Sequence, residues 1–572
     1  MDTLNVSYML RVSHLGASAI CTHTINFKFF RNFYLLIFIL IMKQIFPILL
    51  IIILVQSVEV YCQVPQIKWW YDVKDMSYGN ACAGDIDKDG KLEIVFGCYR
   101  NDSCVYALNA EDGTLLWKYN TGGCNDAAPV IYDADNDDTL DILLTSSCVP
   151  KTFCINGATG RVKWIANSNG SDSPPTIGDI DNDGKQEMLF GEFNGTVRCL
   201  NIENGNLKWV QTVDTNSWIQ TEPALLDLDD DGVLDFVVAN WSFDTTHCIY
   251  GYRGYDHTLL WKTSAPNNVM YHGASFADID GDNKPELAIG SYDGHLYVLN
   301  GEDGSIVFDF SFLNVFYIGA PTSIADLDND GFYEIVFINY SKISAVNHNG
   351  ELLWSQSIPY CATSFRGAAI SDVDNDGILD VVYGSSKGDV IALSGRDGSY
   401  IWDINLADHI GKDFNIDHGP IIADFDQDGY LDVFVVGGYS EYPAIQNNYG
   451  RAYAISTGSK GGPDWLMFRR DIRRSACVPI NTTDIKDNYI KSDFTIYPNP
   501  ANDYITINLN DIDLINNSQI QIFDILGNES KCPLIRNSDY LKIDISNLSS
   551  GIYIIKLKGN LMDDSRKIFV KI

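Results

Sequence analysis

The stretch that decides the fold is Asp85-Ile-Asp-Lys-Asp-Gly-Lys-Leu-Glu93. It places carboxylates at positions 1, 3, 5 and 9 and a glycine at position 6. The same phrase restarts at Asp133, Asp179, Asp227, Asp278, Asp326, Asp372 and Asp424, at intervals of 46 to 52 residues. Acids at alternate positions of a curling chain point toward one centre. Gly90 permits the sharp turn, position 7 offers its carbonyl, and Glu93 closes the shell. Hard oxygen donors in a flexible loop suit Ca²⁺ better than a transition metal, and better than Mg²⁺, which keeps a small octahedral shell with several waters.

The expected ligands follow the phrase through all eight copies. They are Asp85, Asp87, Asp89 and Glu93; Asp133, Asp135, Asp137 and Asp141; Asp179, Asp181, Asp183 and Glu187; and Asp227, Asp229, Asp231 and Asp235. The second half supplies Asp278, Asp280, Asp282 and Glu286; Asp326, Asp328, Asp330 and Glu334; Asp372, Asp374, Asp376 and Asp380; and Asp424, Asp426, Asp428 and Asp432. Up to eight Ca²⁺ ions are therefore expected. Two copies lack the position-6 glycine and carry Asp138 or Asn283, residue types that tolerate the left-handed conformation. An EF-hand is excluded. Its loop needs an acid at position 12, where this chain has Phe96, Leu144, Phe190, Val238, Ile289, Phe337, Tyr383 and Val435. Flanks such as Glu93-Ile-Val-Phe-Gly97 read as strands.

These 32 carboxylates nearly account for a net charge of −35, so the acidity is a metal-site signature. It argues against nucleic-acid binding, which needs basic patches. With 46% apolar and 12% aromatic residues the chain reads as a packed body of more than one domain. The segment from Met42 to Cys62 has a short basic start, an apolar core and a polar end, the pattern of a secretory signal peptide. Residues 1–41 read as an upstream extension. A membrane anchor over 34–55 is the competing reading, disfavoured because Lys43 and Gln44 interrupt it. No stable transmembrane span is expected after cleavage. Thirteen cysteines in an exported chain invite disulfides. Cys98 with Cys104, and Cys148 with Cys154, could bridge hairpins. Alternatively Cys154 aligns with Cys199 and Ala107 at an inward strand position that suits a buried thiol.

Each period holds a second phrase, as in Val105-Tyr-Ala-Leu-Asn-Ala-Glu-Asp-Gly-Thr-Leu-Leu-Trp117. Its closing aromatic recurs at Trp164, Trp209, Trp261, Phe308, Trp354 and Trp402, and its turn glycine at Gly160, Gly205, Gly304, Gly350 and Gly398. Four short strands per period is the length and punctuation of a β-propeller blade. The eighth period lacks a clean glycine turn and tryptophan strand, while Gln66-Ile-Lys-Trp-Trp-Tyr71 precedes the first loop without a partner. The expectation is an all-β chain: an eight-bladed β-propeller over 63–478, its last blade completed by the N-terminal strand, with a seven-bladed ring as the alternative. Asp464-Trp-Leu-Met-Phe-Arg-Arg470 is expected to pack as a tail against that ring.

The acidic loops resemble FG-GAP/VCBS repeats, the calcium-binding blades of integrin α-subunit propellers and of many secreted bacterial proteins. The glycine-turn and tryptophan halves resemble quinoprotein-type repeats. Residues 479–495 read as a linker. Beyond it, alternation and glycine turns indicate a small β-sandwich over 496–572. Its phrases Tyr497-Pro-Asn-Pro-Ala501 and Asp544-Ile-Ser-Asn-Leu-Ser-Ser-Gly-Ile-Tyr-Ile-Ile-Lys-Leu557 closely resemble type A sorting domains of the type IX secretion system. That resemblance implies the secretion machinery as a partner, and release from, or attachment to, the surface of a Gram-negative cell.

Function is expected on the face opposite the acidic loops, where the inter-blade connections carry Trp218, Glu222, Tyr271, His272, Tyr317, Arg366, Asp417 and His418. His272, Arg366 and His418 each stand six residues before their loop's first aspartate. The reading is a monomeric, non-catalytic adhesion or binding protein for a glycan or protein. The alternatives are an exported polysaccharide-degrading, lyase-like propeller and a quinone-dependent dehydrogenase. The last is disfavoured because no two cysteines are adjacent.

Overall fold

Eight antiparallel sheets repeat the period of the sequence. The structure is a computed structural model that describes residues 65–312, 317–460, 463–465 and 467, with separate stretches between 495 and 571. The signal peptide, the upstream extension and all but the last residue of the linker lie outside the described residues. Two compact units emerge: a larger one of Met1–Gly281 and Pro285–Val478, and a smaller one containing Pro479–Ile572.

Blade 1 shows how sequence makes a blade. A three-residue innermost strand, Cys82–Gly84, runs into the acidic loop, and the chain returns as Glu93–Gly97, Cys104–Asn109 and Leu115–Asn120. The second strand is buried at every position because blades cover both its faces. Its fourth residue is loop position 12, and all eight such residues, from Phe96 to Val435, are buried. Strand direction alternates within a blade. The acidic loops and glycine turns therefore share one face of the ring, and the second hairpins and inter-blade connections share the other.

The seams explain the second phrase. Trp69 donates its indole N–H to the carbonyl of Ala110 in the next blade, and Trp117, Trp164, Trp261 and Trp354 do the same to Gly157, Ile202, Gly301 and Gly395. The turn glycine beneath each ring is held at positive φ, and a Cβ on Gly304 would stand 2.4 Å from the Trp261 ring. Only glycine meets both demands there. In blade 4, His257 takes that position at φ 60° and its ring lies 4.2 Å from that of Trp209.

Blade 8 closes the ring as expected. Gln66–Val73 pairs with Tyr449–Ser456, from Gln66 opposite Ser456 to Val73 opposite Gly450. The ring has eight blades, and the seven-bladed alternative is excluded. Sealing by the N-terminal strand leaves no unpaired edge at the join. Blade 8 also lacks the turn that receives the preceding tryptophan, so the Trp402 indole N–H has no acceptor. Of the expected tail, only Asp464, Trp465 and Met467 are among the described residues. Pro463–Trp465 adds a fifth strand to blade 7, with Trp465 opposite Ile370 on the innermost strand, which puts the chain on the channel side.

The expected hairpin disulfides do not form. Cys124 bonds Cys148, with Cα atoms 5.1 Å apart, tying the connection before blade 2 to that blade's hairpin. Cys98, Cys104 and Cys154 are buried free thiols. Cys154 faces inward beside Trp164, in keeping with its register with Cys199, while Cys148 stands in an exposed turn that Cys124 can reach. In the smaller unit two four-stranded sheets bury Ile505 and Ile543 on one and Ile522 and Ile555 on the other. Among the described residues no helix is long and apolar enough to cross a membrane.

Candidate functional site

Two faces of the ring carry chemistry. On the first, the acidic loops bring carboxylates together as the spacing requires. Oxygens of Asp85, Asp87 and Glu93 lie within 4.8 Å of one another, and so do those of Asp133, Asp135 and Asp141; Asp179, Asp181 and Glu187; Asp227, Asp229 and Asp235; and Asp278, Asp280 and Glu286. Position 9 opens the second strand and is fixed by the N–H of position 2, as from Ile86 to Glu93 at 2.8 Å and from Val373 to Asp380 at 2.9 Å. Position 5 accepts the N–H of position 7, as Asp89 does from Lys91. All eight position-6 residues have positive φ, Asp138 and Asn283 included. Position 4 does too, from Lys88 to Gln427, a second left-handed site that the spacing of acids does not reveal.

These groups fit a hard cation. Oδ1 of Asp85 and Oδ1 of Asp380 are buried without any partner. Burial first, and repulsion from the other loop carboxylates after it, push Glu93 and Glu334 up to about 7 and Asp380 to about 8. Buried acids in this condition call for positive charge.

On the opposite face the inter-blade connections converge on the channel mouth, and the sequence candidates divide. Arg366, from blade 7, is the centre. Its Nη1 lies 3.5 Å from Nε2 of His272, and its guanidinium packs 5.5 Å from the Tyr271 ring and 5.6 Å from that of Phe365. His272 turns Nδ1 to buried Glu222 at 3.0 Å, and Glu222 also accepts the N–H of Gly273. Tyr317 stacks on Tyr292 with centroids 4.7 Å apart. Trp218 sits on a two-residue strand paired with Trp241–Ser242, between the rings of Phe193 and Phe243. His418 is engaged elsewhere: its Nε2 accepts the Ala81 N–H at 2.9 Å and so fastens blade 8 to blade 1.

Further residues of the mouth occupy the register one residue earlier, of which the sequence reading names only Tyr271 and Asp417. Seven residues before each loop stand Tyr78, Asp126, Asp172, Gln220, Tyr271, Gly319, Phe365 and Asp417. Three of these acids interact electrostatically with Arg366, which thereby faces carboxylates from blades 2, 3 and 8. Burial holds Asp126 and Asp417 above the ordinary carboxylate range, and Asp172 is raised by burial and by its neighbour Asp126. Gln220 donates to Asp172 at 2.7 Å. Nε of Arg366, Oδ1 of Asp172 and Oε1 of Gln220 are buried and unpartnered. Beside the mouth, a cavity of about 360 Å³ is lined by Met76, Tyr78, Lys387, Asp413, Phe414 and Tyr439.

Known protein families divide the chain along similar lines. Residues 495–571 match the secretion system C-terminal sorting domain, and residues 179–238 match the FG-GAP-like repeat. The chain is a β-propeller that carries a match to the FG-GAP-like repeat and a match to the C-terminal sorting domain. Residues 253–465 of the propeller also match the family described as outer membrane protein assembly factor BamB. The BBSome complex member BBS2 of Rattus norvegicus is 24% identical over 187 residues, covering 31% of this chain and 22% of the relative. Tetrathionate hydrolase of Acidithiobacillus ferrooxidans is 28% identical over 109 residues, covering 19% of this chain and 20% of the relative. The propeller chain thus spans about a fifth of the length of the curated relatives it matches.

Among solved structures, the V. cholerae biofilm matrix protein Bap1 superposes with a TM-score of 0.52 at 14% identity, covering 73% of this chain and 96% of that one. A europium-containing methanol dehydrogenase gives 0.50 at 13% identity, covering 68% and 93%. At these identities the likeness is one of fold alone. The sorting domain implies the type IX secretion system as a partner and a secreted or cell-surface location.

Proposed function

We propose that this FG-GAP propeller is a non-catalytic binding protein, exported from a Gram-negative cell, that takes a glycan at the channel mouth. Calcium in the acidic loops holds the scaffold. One observation carries the reading: Arg366, Asp172 and Gln220 present buried, unpartnered polar atoms inside a mouth walled by aromatic rings. Unmet buried polar groups are costly and find partners. Sugar hydroxyl pairs match carboxylate, amide and guanidinium, while sugar C–H faces pack on Tyr271, Tyr317 and Phe365. Titration of the secreted protein with array-identified glycans tests this. Arg366→Gln should weaken binding at least tenfold with an unchanged circular dichroism spectrum, and full affinity in that variant would refute the site.

A second reading, a polysaccharide lyase, is favoured by the Glu222–His272 pair beside Arg366. A carboxylate-oriented imidazole next to a guanidinium is able to move a proton beside a stabilised anion. Release of unsaturated sugars, followed by ultraviolet absorbance and lost in His272→Gln, would select it over simple binding.

A further inference from the structure

Every blade carries a β-bulge at the same place, where its last two strands pair. In blade 1 Ala107 faces Trp117 and Leu108 faces Leu115, so Leu116 is the extra residue. In blades 2, 3 and 8 the extra residue is Lys163, Lys208 and Lys68. In the other five it is aliphatic, as with Leu116 and Ile401. A bulge re-aims the side chain it carries, and the three lysines reach into the acidic loops of their own blades.

Their placement repeats from blade to blade. Lys163 Nζ lies 2.7 Å from Asp135, 2.8 Å from Asp141 and 3.2 Å from Asp137. Lys208 lies 2.7 Å from Asp181, 2.7 Å from Glu187 and 3.2 Å from Asp183. Lys68 lies 2.5 Å from Asp426, 2.9 Å from Asp432 and 3.7 Å from Asp428. Each ammonium therefore sits among positions 3, 5 and 9, where a metal ion would have to stand. Among the described residues, no cation pairs with positions 3 and 9 in the loops of blades 1, 6 and 7. In blade 4 Arg253 reaches Asp229 alone, and it does so from the turn.

We infer that Lys68, Lys163 and Lys208 are built-in cations that take the place of Ca²⁺ in blades 8, 2 and 3, while the loops of blades 1, 6 and 7 are left to the metal. This rests on the calcium reading of the loops. A tethered ammonium joins the carboxylates without the entropy loss of association. Calcium can enter only by expelling it, and the expelled lysine would then lie beside a divalent ion.

The test is calcium stoichiometry of the full secreted chain, by equilibrium dialysis and mass spectrometry at about 10 mM free Ca²⁺, well above the roughly 10⁻⁴–10⁻³ M dissociation constants of extracellular modules. The triple variant Lys68→Met, Lys163→Met, Lys208→Met should bind three more ions than the natural chain, and Leu116→Lys one fewer. Should the triple variant not fold, Lys163→Met alone should bind one more. Eight ions in the natural chain, or an unchanged count in the triple variant, overturns the inference. Zero ions everywhere would defeat the calcium reading itself. The lysine assignment then falls or stands on melting in excess chelator, where each Lys→Met variant should melt below the natural chain and an unchanged melt overturns it.

Discussion

The two faces of the ring are built on opposite plans. On the loop face the same nine positions return eight times, with the same acids, the same turn and the same buried closing carboxylate. On the mouth face hardly any position repeats: the register of Arg366 holds glycine, alanine, serine or threonine in five blades, and histidine in two. Repetition marks what every blade needs in order to stand in the ring. Departure from repetition marks what the ring does once. A mutation on the first face should therefore act on stability, and one on the second on recognition.

The largest effect should come from stripping the loop face of metal. At about millimolar calcium and dissociation constants of roughly 10⁻⁴–10⁻³ M, each loaded site adds roughly 0.4–1.4 kcal/mol. Several sites together rival the net stability of a domain, about 5–15 kcal/mol. Calorimetry in excess chelator should show a strongly lowered melting temperature, and an unchanged melt would remove calcium from the account. Next is the seam. Trp261→Ala removes a buried ring and the bond to Gly301, and should cost about 3–5 kcal/mol in urea titration. A loss below about 1 kcal/mol would mean that the seams are not what fastens the blades.

Much of this construction is legible in the amino-acid sequence because it is periodic. The spacing of Asp85 to Glu93 implies the turn, the buried ninth position and the strand after it. The orphan strand at Gln66 implies ring closure. What is not legible depends on contacts across the ring. The sixth residue before each loop reads as the rim, so His418 reads as a ligand group, although its Nε2 is spent on the Ala81 N–H. Asp126 and Asp172 stand one residue earlier and carry no signal of their own, because only the closed ring brings them toward an arginine several blades away. The lysine bulges are hidden for a related reason. An extra residue in a strand pair cannot be seen until its partner strand is known.

A middle-sized effect separates the faces by pH. In the calcium-free protein Glu93 is held up to about 7 and Asp380 to about 8, chiefly by burial. In the unfolded chain such groups titrate near 4. Between those values the folded form keeps protons that the unfolded form has lost, so stability falls as pH rises from about 4 toward 8. Calcium binds the ionised carboxylates and should cancel that slope. Melting curves in chelator should drop across this window and, with calcium, should not. A slope that calcium leaves untouched would place its source outside the loops.

The smallest effect on stability belongs to the mouth face. Phe243 is 55% exposed and Tyr340 40% exposed, each edge-on to a neighbouring ring. Truncating either to alanine removes little buried area, so denaturation should shift by no more than about 0.5 kcal/mol. A sugar stacked on such a ring would lose about 0.5–1.5 kcal/mol, or roughly two- to tenfold in affinity. The pair of measurements separates the two plans of construction. Unaltered unfolding with weakened binding is expected of a recognition surface. Unaltered binding would confine recognition to the polar floor around Arg366, where His272, Asp172 and Gln220 would have to hold the ligand without the aromatic wall.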